Sequence, residues 1–393
     1  MTRSGMMMSG KLLLILMVVG CLSFGIWLLP IFAQDAGPSF DILEELKLYS
    51  KALGAIVQGY VEDKNPRELF YDSVRGMLKS LDEYCEFFSP DQYELVKISM
   101  KGEYSGIGAK IEIVDHYPSI AELKPDSAAM KAGLEVHDRI LKVDGVSMMD
   151  KAVGDVSSLL RGDVDTALVL TIFREATQKT FDVKIIREKV VLEAVKDVRM
   201  VGRALGYMRI SEFQEKTAEQ AKKALRKLHG KKMGALILDL RGNIGGLLPE
   251  AIELAELFLP DGVKIVTVKS KIPEQRNEYY SKAKEVEPFY PMIILVNEAT
   301  ASASEIFTGA MQDHGRAKVI GTKTYGKASV QSVIPLDEKS AMKITTARYI
   351  TPNGRIIDKV GIVPDEVIEN KPAGTPGYDV QTSRALELFQ QYI

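Results

Sequence analysis

At 393 residues the chain has room for two or three domains, and its 46% hydrophobic, 26% charged composition is that of an ordinary globular protein. A net charge of -2 leaves no electrostatic case for nucleic acid, which needs a concentrated basic face. Two cysteines cannot hold a fold together, and four scattered histidines (His116, His137, His229, His314) form no HExxH or Cys/His cluster. No metal and no other cofactor is expected.

At the N-terminus, Arg3 and Lys11 precede an uncharged apolar run from Leu12 to Ala33. As a helix at about 1.5 Å per residue the run spans roughly 33 Å, enough to cross a bilayer core. A cleaved signal peptide has a shorter apolar stretch of about 7–15 residues, though cleavage after Ala33 stays open. Residues 1–36 therefore read as a signal sequence or membrane anchor. Either way the rest of the chain is expected to be exported, to the periplasm or cell envelope, with residues 12–33 the inner-membrane anchor if uncleaved. Cys21 would then lie too deep to pair with Cys85.

Residues 37–97 read as helical. Leu43, Leu46, Tyr49, Leu53, Ile56 and Tyr60 recur at three-to-four residue spacing. Asn65-Pro66 starts a second helix, with Pro66 where a missing N–H costs nothing, and Ser89-Pro90 starts a third. A helical subdomain or dimerisation element is expected here.

The pattern changes near Lys101. YSGIGAKIEIV alternates like a strand, KPDSAAMKAGLEVHDRILKVDG follows, then a helix over Val153–Leu160 and a strand in ALVLTIFRE. This order resembles a PDZ domain, over 98–190. The resemblance implies that the glycine turn Ser105-Gly106-Ile107-Gly108 offers N–H groups to a peptide's C-terminal carboxylate, with the adjoining strand edge pairing the peptide. A passive spacer is the bland alternative.

From Val198 strands and helices alternate. GYMRI is a strand, Thr217–Leu228 a helix, GALILDL a buried strand, Pro249–Phe258 a helix, and VKIVTV and MIILVN are strands. This α/β pattern defines 191–370. The tail, 371–393, opens with Pro and Gly and ends in a short amphipathic helix near Ser383–Gln391, read as a packing or dimer segment.

Three stretches of this region could carry chemistry. Asn297–Thr308 reads NEATASASEIFT, small residues and hydroxyls at the mouth of a helix. Ser302-Ala303-Ser304-Glu305 fits a capping box, Ser at N-cap and Glu three residues on. A serine at a helix start is also where N–H groups can stabilise an oxyanion. In TKTYGKASVQ (322–331) Lys327 could serve as a general base only if burial holds it neutral against its ordinary pKa of about 10.4. Gln331 could orient that amine, but a fully extended segment would put the two Cα atoms about 13 Å apart. Cooperation therefore requires a bend, which Gly326 permits. Taken alone, Lys327 is a solvated surface lysine. In DLRGNIGGLL (239–248) a buried strand runs into Gly245-Gly246, which can present bare N–H groups or simply turn the chain.

Together the three stretches, in this order behind a PDZ-like insert, resemble the C-terminal processing, or tail-specific, serine peptidases over residues 40 to 393, IIDKVGIVPDEVI included. The resemblance implies an α/β catalytic core of the crotonase and Clp-protease kind, carrying an inserted PDZ domain and an N-terminal helical segment. It implies Ser302 as nucleophile, Lys327 as general base and Gln331 as its orienting amide. It also implies an oxyanion hole from Gly246 and the N–H of Ala303, and leaves Ser304 structural. The family more often shows NPGG, SASAS and FGKGS. Here Ile244, Thr300 and Ala328 depart from it, and Ala328 narrows the backbone choices beside the base. The implied partners are protein substrates with free C-termini, a second copy of the chain, and a substrate-delivering adaptor. The alternatives are a catalytically inactive PDZ scaffold of the envelope and a crotonase-like acyl-CoA enzyme, against which the export signal and peptide-binding module argue.

Overall fold

The computed structural model describes residues 41–371, 375, 377 and 379–392. The apolar run 12–33 lies outside them, and among the described residues no helix is long and apolar enough to cross a membrane. The chain divides into two compact units between Phe70 and Tyr71.

In the first unit, helix α1 (Ile42–Gly59) is capped by Asp41, whose carboxylate accepts the Leu43 N–H at 2.9 Å. None of its residues is buried. Leu43, Leu46 and Ile56 of the predicted stripe stand in solvent. Helix α2 (Pro66–Lys79) starts at Pro66 as read, with Asn65 Oδ1 accepting the Arg67 N–H at 2.9 Å.

In the second unit, Tyr71, Val74 and Leu78 of α2 pack on Phe87. Phe87 belongs to strand β1 (Glu86–Phe88), too short for a period to disclose, and α3 (Pro90–Lys101) follows Ser89 as predicted. Strand β2 (Glu103–Gly106) then pairs antiparallel with β9 (Glu188–Val191), from Glu103 opposite Val191 to Gly106 opposite Glu188. The ribbon frames an inserted domain of β3 (Ala109–Val114), β4 (Tyr117–Leu123), α4 (Ala128–Lys131), β5 (Arg139–Val143), β6 (Val146–Ser147), α5 (Val153–Leu160), β7 (Ala167–Arg174) and β8 (Lys179–Ile186). Its sheet runs β3-β4-β5-β7-β8, with β6 on β5 and β3 on an edge. Ile120, Ile140, Val156 and Leu170 fill its own core.

The remaining elements are β10 (Val195–Val201), β11 (Leu205–Ile210), α6 (Thr217–His229), β12 (Ala235–Asp239), α7 (Leu248–Glu256), β13 (Lys264–Ser270), β14 (Asn277–Tyr280), β15 (Met292–Val296), α8 (Ala303–Asp313), β16 (Lys318–Gly321), β17 (Ser329–Pro335), β18 (Ala341–Ile350), β19 (Glu366–Val367) and α9 (Val380–Leu388). One sheet, β10-β11-β12-β15-β16-β19, is parallel from β11 onward. Both its faces are covered, so its strands are continuous apolar runs rather than alternating ones. On β12, Leu236 and Leu238 face the core shared with α6, α7 and α8, whereas Ala235 and Ile237 face Ala385 and Phe389 at the C-terminal end. The tail thus completes the second face of the sheet. The other sheet is antiparallel, β1-β18-β13-β14, with β17 on the opposite edge of β18.

Candidate active site

Three neighbouring parallel strands, β12, β15 and β16, end at the same margin of the sheet. The three stretches singled out in sequence are the segments that leave those carboxyl ends. This is where open α/β sheets place their ligand sites.

After β15 the chain reaches Ser302 with φ 57° and ψ -119°, a backbone conformation that costs a non-glycine residue and is found at functional turns. The capping-box pattern is present, and the Ser302 N–H donates to Glu305 Oε2 at 2.9 Å. Ser302 itself is half-buried. Ser304 is different. It is fully buried and donates to the Asn243 carbonyl at 3.1 Å.

After β12, Asn243 is fully buried, donates from Nδ2 to the Ile210 carbonyl at 3.0 Å and accepts the Gly245 N–H at 2.9 Å. Its carbonyl also accepts the Ala301 N–H at 3.0 Å. The two glycines are needed for different reasons. A Cβ on Gly245 would stand 2.7 Å from the Ala301 carbonyl oxygen and 2.8 Å from Ser302 Cβ, and one on Gly246 would stand 2.1 Å from the Phe213 carbonyl oxygen. With the Gly245 N–H committed, the N–H groups of Gly246 and Ala303 are the ones beside Ser302 that have no protein acceptor among the described residues.

After β16, Thr324 to Lys327 wrap around Glu305. This carboxylate is fully buried. Its Oε1 accepts the Thr324 hydroxyl at 2.5 Å and the Gly326 N–H at 2.8 Å, and its Oε2 accepts the Lys327 N–H at 2.9 Å in addition to that of Ser302. Tyr349, buried on β18, donates its hydroxyl to the carbonyls of Ser302, at 3.1 Å, and Lys327. Burial first, then the Glu305 carboxylate, pushes this phenol well above its ordinary range, so it stays a donor. The backbones of Ser302 and Lys327 are therefore pinned together from two sides.

The Lys327 ammonium is half-buried, 5.1 Å from the centre of the Tyr84 ring. Burial pushes its pKa down and the charge of Lys343 pushes it further, against the opposing carboxylates of Asp82 and Glu305. Among the described residues no hydrogen bond joins Lys327 Nζ to the Ser302 hydroxyl or to Gln331. Gln331 follows a bulge between Val330 and Gln331 and donates to Ser329 Oγ at 2.7 Å and Thr345 Oγ1 at 3.3 Å. Ala328 needs no glycine: its φ is not positive and it is fully buried in the core.

In the inserted domain, Ile107 is buried and its carbonyl accepts the Ala129 N–H at 2.9 Å, so it joins the domain core. A Cβ on Gly108 (φ 74°) would stand 2.5 Å from Ser127 Cβ. Ser105 Oγ is buried without a partner. Ser105 and Gly106, expected in a turn, belong to β2 and pair with β9, so only Ile107 and Gly108 connect that ribbon to the edge strand β3, which lies beside α5. Sequence reasoning saw Glu305 only as a cap, and it missed Tyr349, Thr324, Asn243 and the Asp82–Tyr84 wall. Among the described residues no group of three or more His, Cys, Asp or Glu side chains could hold a metal ion.

A strained serine at a helix start, N–H groups without a protein acceptor and a half-buried lysine are the kinds of group a serine hydrolase uses, gathered here on an α/β scaffold. The profile of peptidase family S41 matches residues 204–368 and that of the PDZ domain residues 119–174. The chain is 36% identical over 326 residues to the carboxy-terminal-processing protease of Bartonella bacilliformis, covering 82% of this chain and 74% of that one. It is 35% identical over 387 residues to the carboxyl-terminal-processing protease of Synechocystis, covering 91% and 90%. A putative S41 protease from Bacteroides fragilis shares the fold (TM-score 0.52, 16% identity, 92% of this chain and all of that one). The chain belongs to peptidase family S41 and is a C-terminal processing serine peptidase with a PDZ domain.

Glu305→Gln tests the clasp. An amide keeps one acceptor and turns its NH2 toward two N–H donors, so we expect kcat/KM to fall by about a hundredfold and the fold to lose about 3 kcal/mol. Peptide hydrolysis and chemical denaturation read the two effects. Unchanged kcat/KM would show that the carboxylate does not position the site.

Proposed function

We propose that Ser302 is the nucleophile and Lys327 its general base. The observation that carries this is the double bridge of Glu305 and Tyr349 between the two residues, with a half-buried lysine whose pKa is lowered. Ser302 Oγ attacks the peptide carbonyl carbon while its proton passes to the neutral Lys327 amine. The N–H groups of Gly246 and Ala303 receive the oxyanion. Lys327 returns the proton to the departing amine, and water releases the acyl group by the same route. The amine must leave the face of Tyr84 to reach the hydroxyl, and Gln331 is the amide that orients it there.

The PDZ domain then selects the substrate. Ser105 and Gly106 of the expected turn are paired in the ribbon of β2 and β9, which leaves the N–H groups of Ile107 and Gly108, at the head of the open β3 edge, to receive a free C-terminal carboxylate followed by β-pairing. The exposed stripe of α1 supports a homodimer built on that helix. The basic-flanked apolar run 12–33 supports export to the periplasm or envelope and attachment to the membrane, where an adaptor protein delivers substrates.

Ser302→Ala should abolish peptide hydrolysis while the protein stays folded, and Lys327→Arg should be as inactive as Lys327→Ala, because a guanidinium does not deprotonate in this range. The base works only when neutral, so kcat/KM should rise with pH and level off below the ordinary lysine value of about 10.4. A profile flat from about pH 6 to 10 would exclude a lysine base. Substrates with free apolar C-termini should be cut faster than their amidated or Asp-Asp-ended counterparts, measured as initial rates on one carrier chain. Equal rates would mean that the terminus is not read. Leu46→Asp in α1 should shift the chain to monomer in sedimentation equilibrium, and an unaltered mass would rule out the α1 interface.

A further inference from the structure

Strand β18 carries β17 along one edge. Its other edge is shared by two strands laid end to end, β1 against residues 341–343 and β13 against 347–350. Ile344, Thr345 and Thr346 between them have no strand partner on that edge. Side chains alone cover the gap: the Thr345 N–H meets Cys85 Sγ at 3.4 Å, and the Ser270 hydroxyl donates to the Thr346 carbonyl at 2.6 Å.

A cleft of about 760 Å³ opens over this gap. Four of its lining residues are cations, Lys269, Lys271, Arg276 and Arg348, and none is an acid. All four are exposed. Arg348 approaches Asp358 at 3.7 Å, and Arg276 spends its guanidinium on the carbonyls of Ser270 and Lys271. Lys269 and Lys271 have no ion pair among the described residues. Ile272, Ile344 and Ile356 add an apolar floor, Ile356 being 64% exposed. Two residues of the cleft connect it to the site: Tyr349 donates to Ser302 and Lys327, and Thr345 accepts from Gln331. Like charges around an apolar trough, with only Arg348 near an acid, call for a ligand that is both anionic and partly apolar.

We propose that this cleft holds an acidic, extended segment of the substrate chain and makes the peptidase prefer substrates with Asp or Glu near the cleaved bond. The occupant is a substrate because the cleft abuts the catalytic elements, so the inference rests on the peptidase reading. An extended chain fits where strand pairing is interrupted. The cationic rim supplies long-range attraction and the isoleucines supply contact.

Binding separates this inference from the catalytic assignment. With Ser302→Ala full-length protein, fluorescence anisotropy compares a labelled peptide carrying four Glu and two Leu with its Gln counterpart, at 50 and 500 mM salt. We expect the acidic peptide to bind about tenfold more tightly at the lower salt, from three or four exposed pairs, and to lose most of that margin at the higher. Lys269→Gln, Lys271→Gln and Arg348→Gln combined should bring the ratio close to one. The double variant Lys269→Gln and Lys271→Gln, checked for an unchanged melting temperature, gives the partial loss should the triple variant not fold. Equal affinity for the two peptides, or a preference that survives the substitutions, overturns the proposal. So does an acidic peptide displaced by phosphatidylglycerol vesicles but not by unlabelled acidic peptide, which would make the cleft a membrane contact. Residual cleavage by Ser302→Ala would overturn the nucleophile instead and leave the binding ratio to decide the cleft.

Discussion

A single buried carboxylate ties the turn at Ser302 to the loop at Lys327. Glu305 has no water to solvate it, and an isolated charge there would be prohibitively costly. It is tolerated because four donors converge on it from two loops: the Ser302 N–H on its own helix, and the Thr324 hydroxyl and the Gly326 and Lys327 N–H groups opposite. The dependence is mutual. Without those donors the buried carboxylate oxygens would lack hydrogen-bond partners, and without the carboxylate the strained turn at Ser302 would lose its link to the loop at Lys327.

Around that point the sheet does the coarse placement and hydrogen bonds do the fine one. Parallel pairing of β12, β15 and β16 delivers three loops to one margin. Side-chain and backbone hydrogen bonds then tie the loops crosswise. Thr300 donates to the Leu240 carbonyl at 2.9 Å, Asn297 accepts the Gly242 N–H at 2.9 Å, and the Tyr325 N–H reaches the Thr300 carbonyl at 3.0 Å. Such groups are stable in a core only when all are satisfied, so the network fixes one arrangement rather than several.

Local chemistry made much of this legible in the sequence. Pro66 and Pro90 open their helices, α5 begins and ends at Val153 and Leu160, and the buried strand ending at Asp239 was readable as an apolar run. Ser302 and Lys327 emerged from motif order. What stayed hidden was closure across distance. Three of the four partners of Glu305 lie 19 to 22 residues away, and the acceptor of Ser304 lies 61 away. No period or spacing reports such pairs. Strand β1 escaped notice because three residues carry no alternation, and the bulge at Val330 and Gln331 because nothing local demands it.

The ribbon of β2 and β9 has a consequence for how this architecture can change. The inserted domain leaves and re-enters the peptidase at neighbouring backbone positions, with the Leu192 N–H donating to the Gly102 carbonyl at 2.7 Å where the two strands meet. Its hydrophobic core is its own and shares no residue with that of the peptidase sheet. A module joined this way can be exchanged for another whose ends lie one strand spacing apart without altering the spacing of the loops that leave β12, β15 and β16. Recognition and hydrolysis are therefore free to diversify separately along one polypeptide.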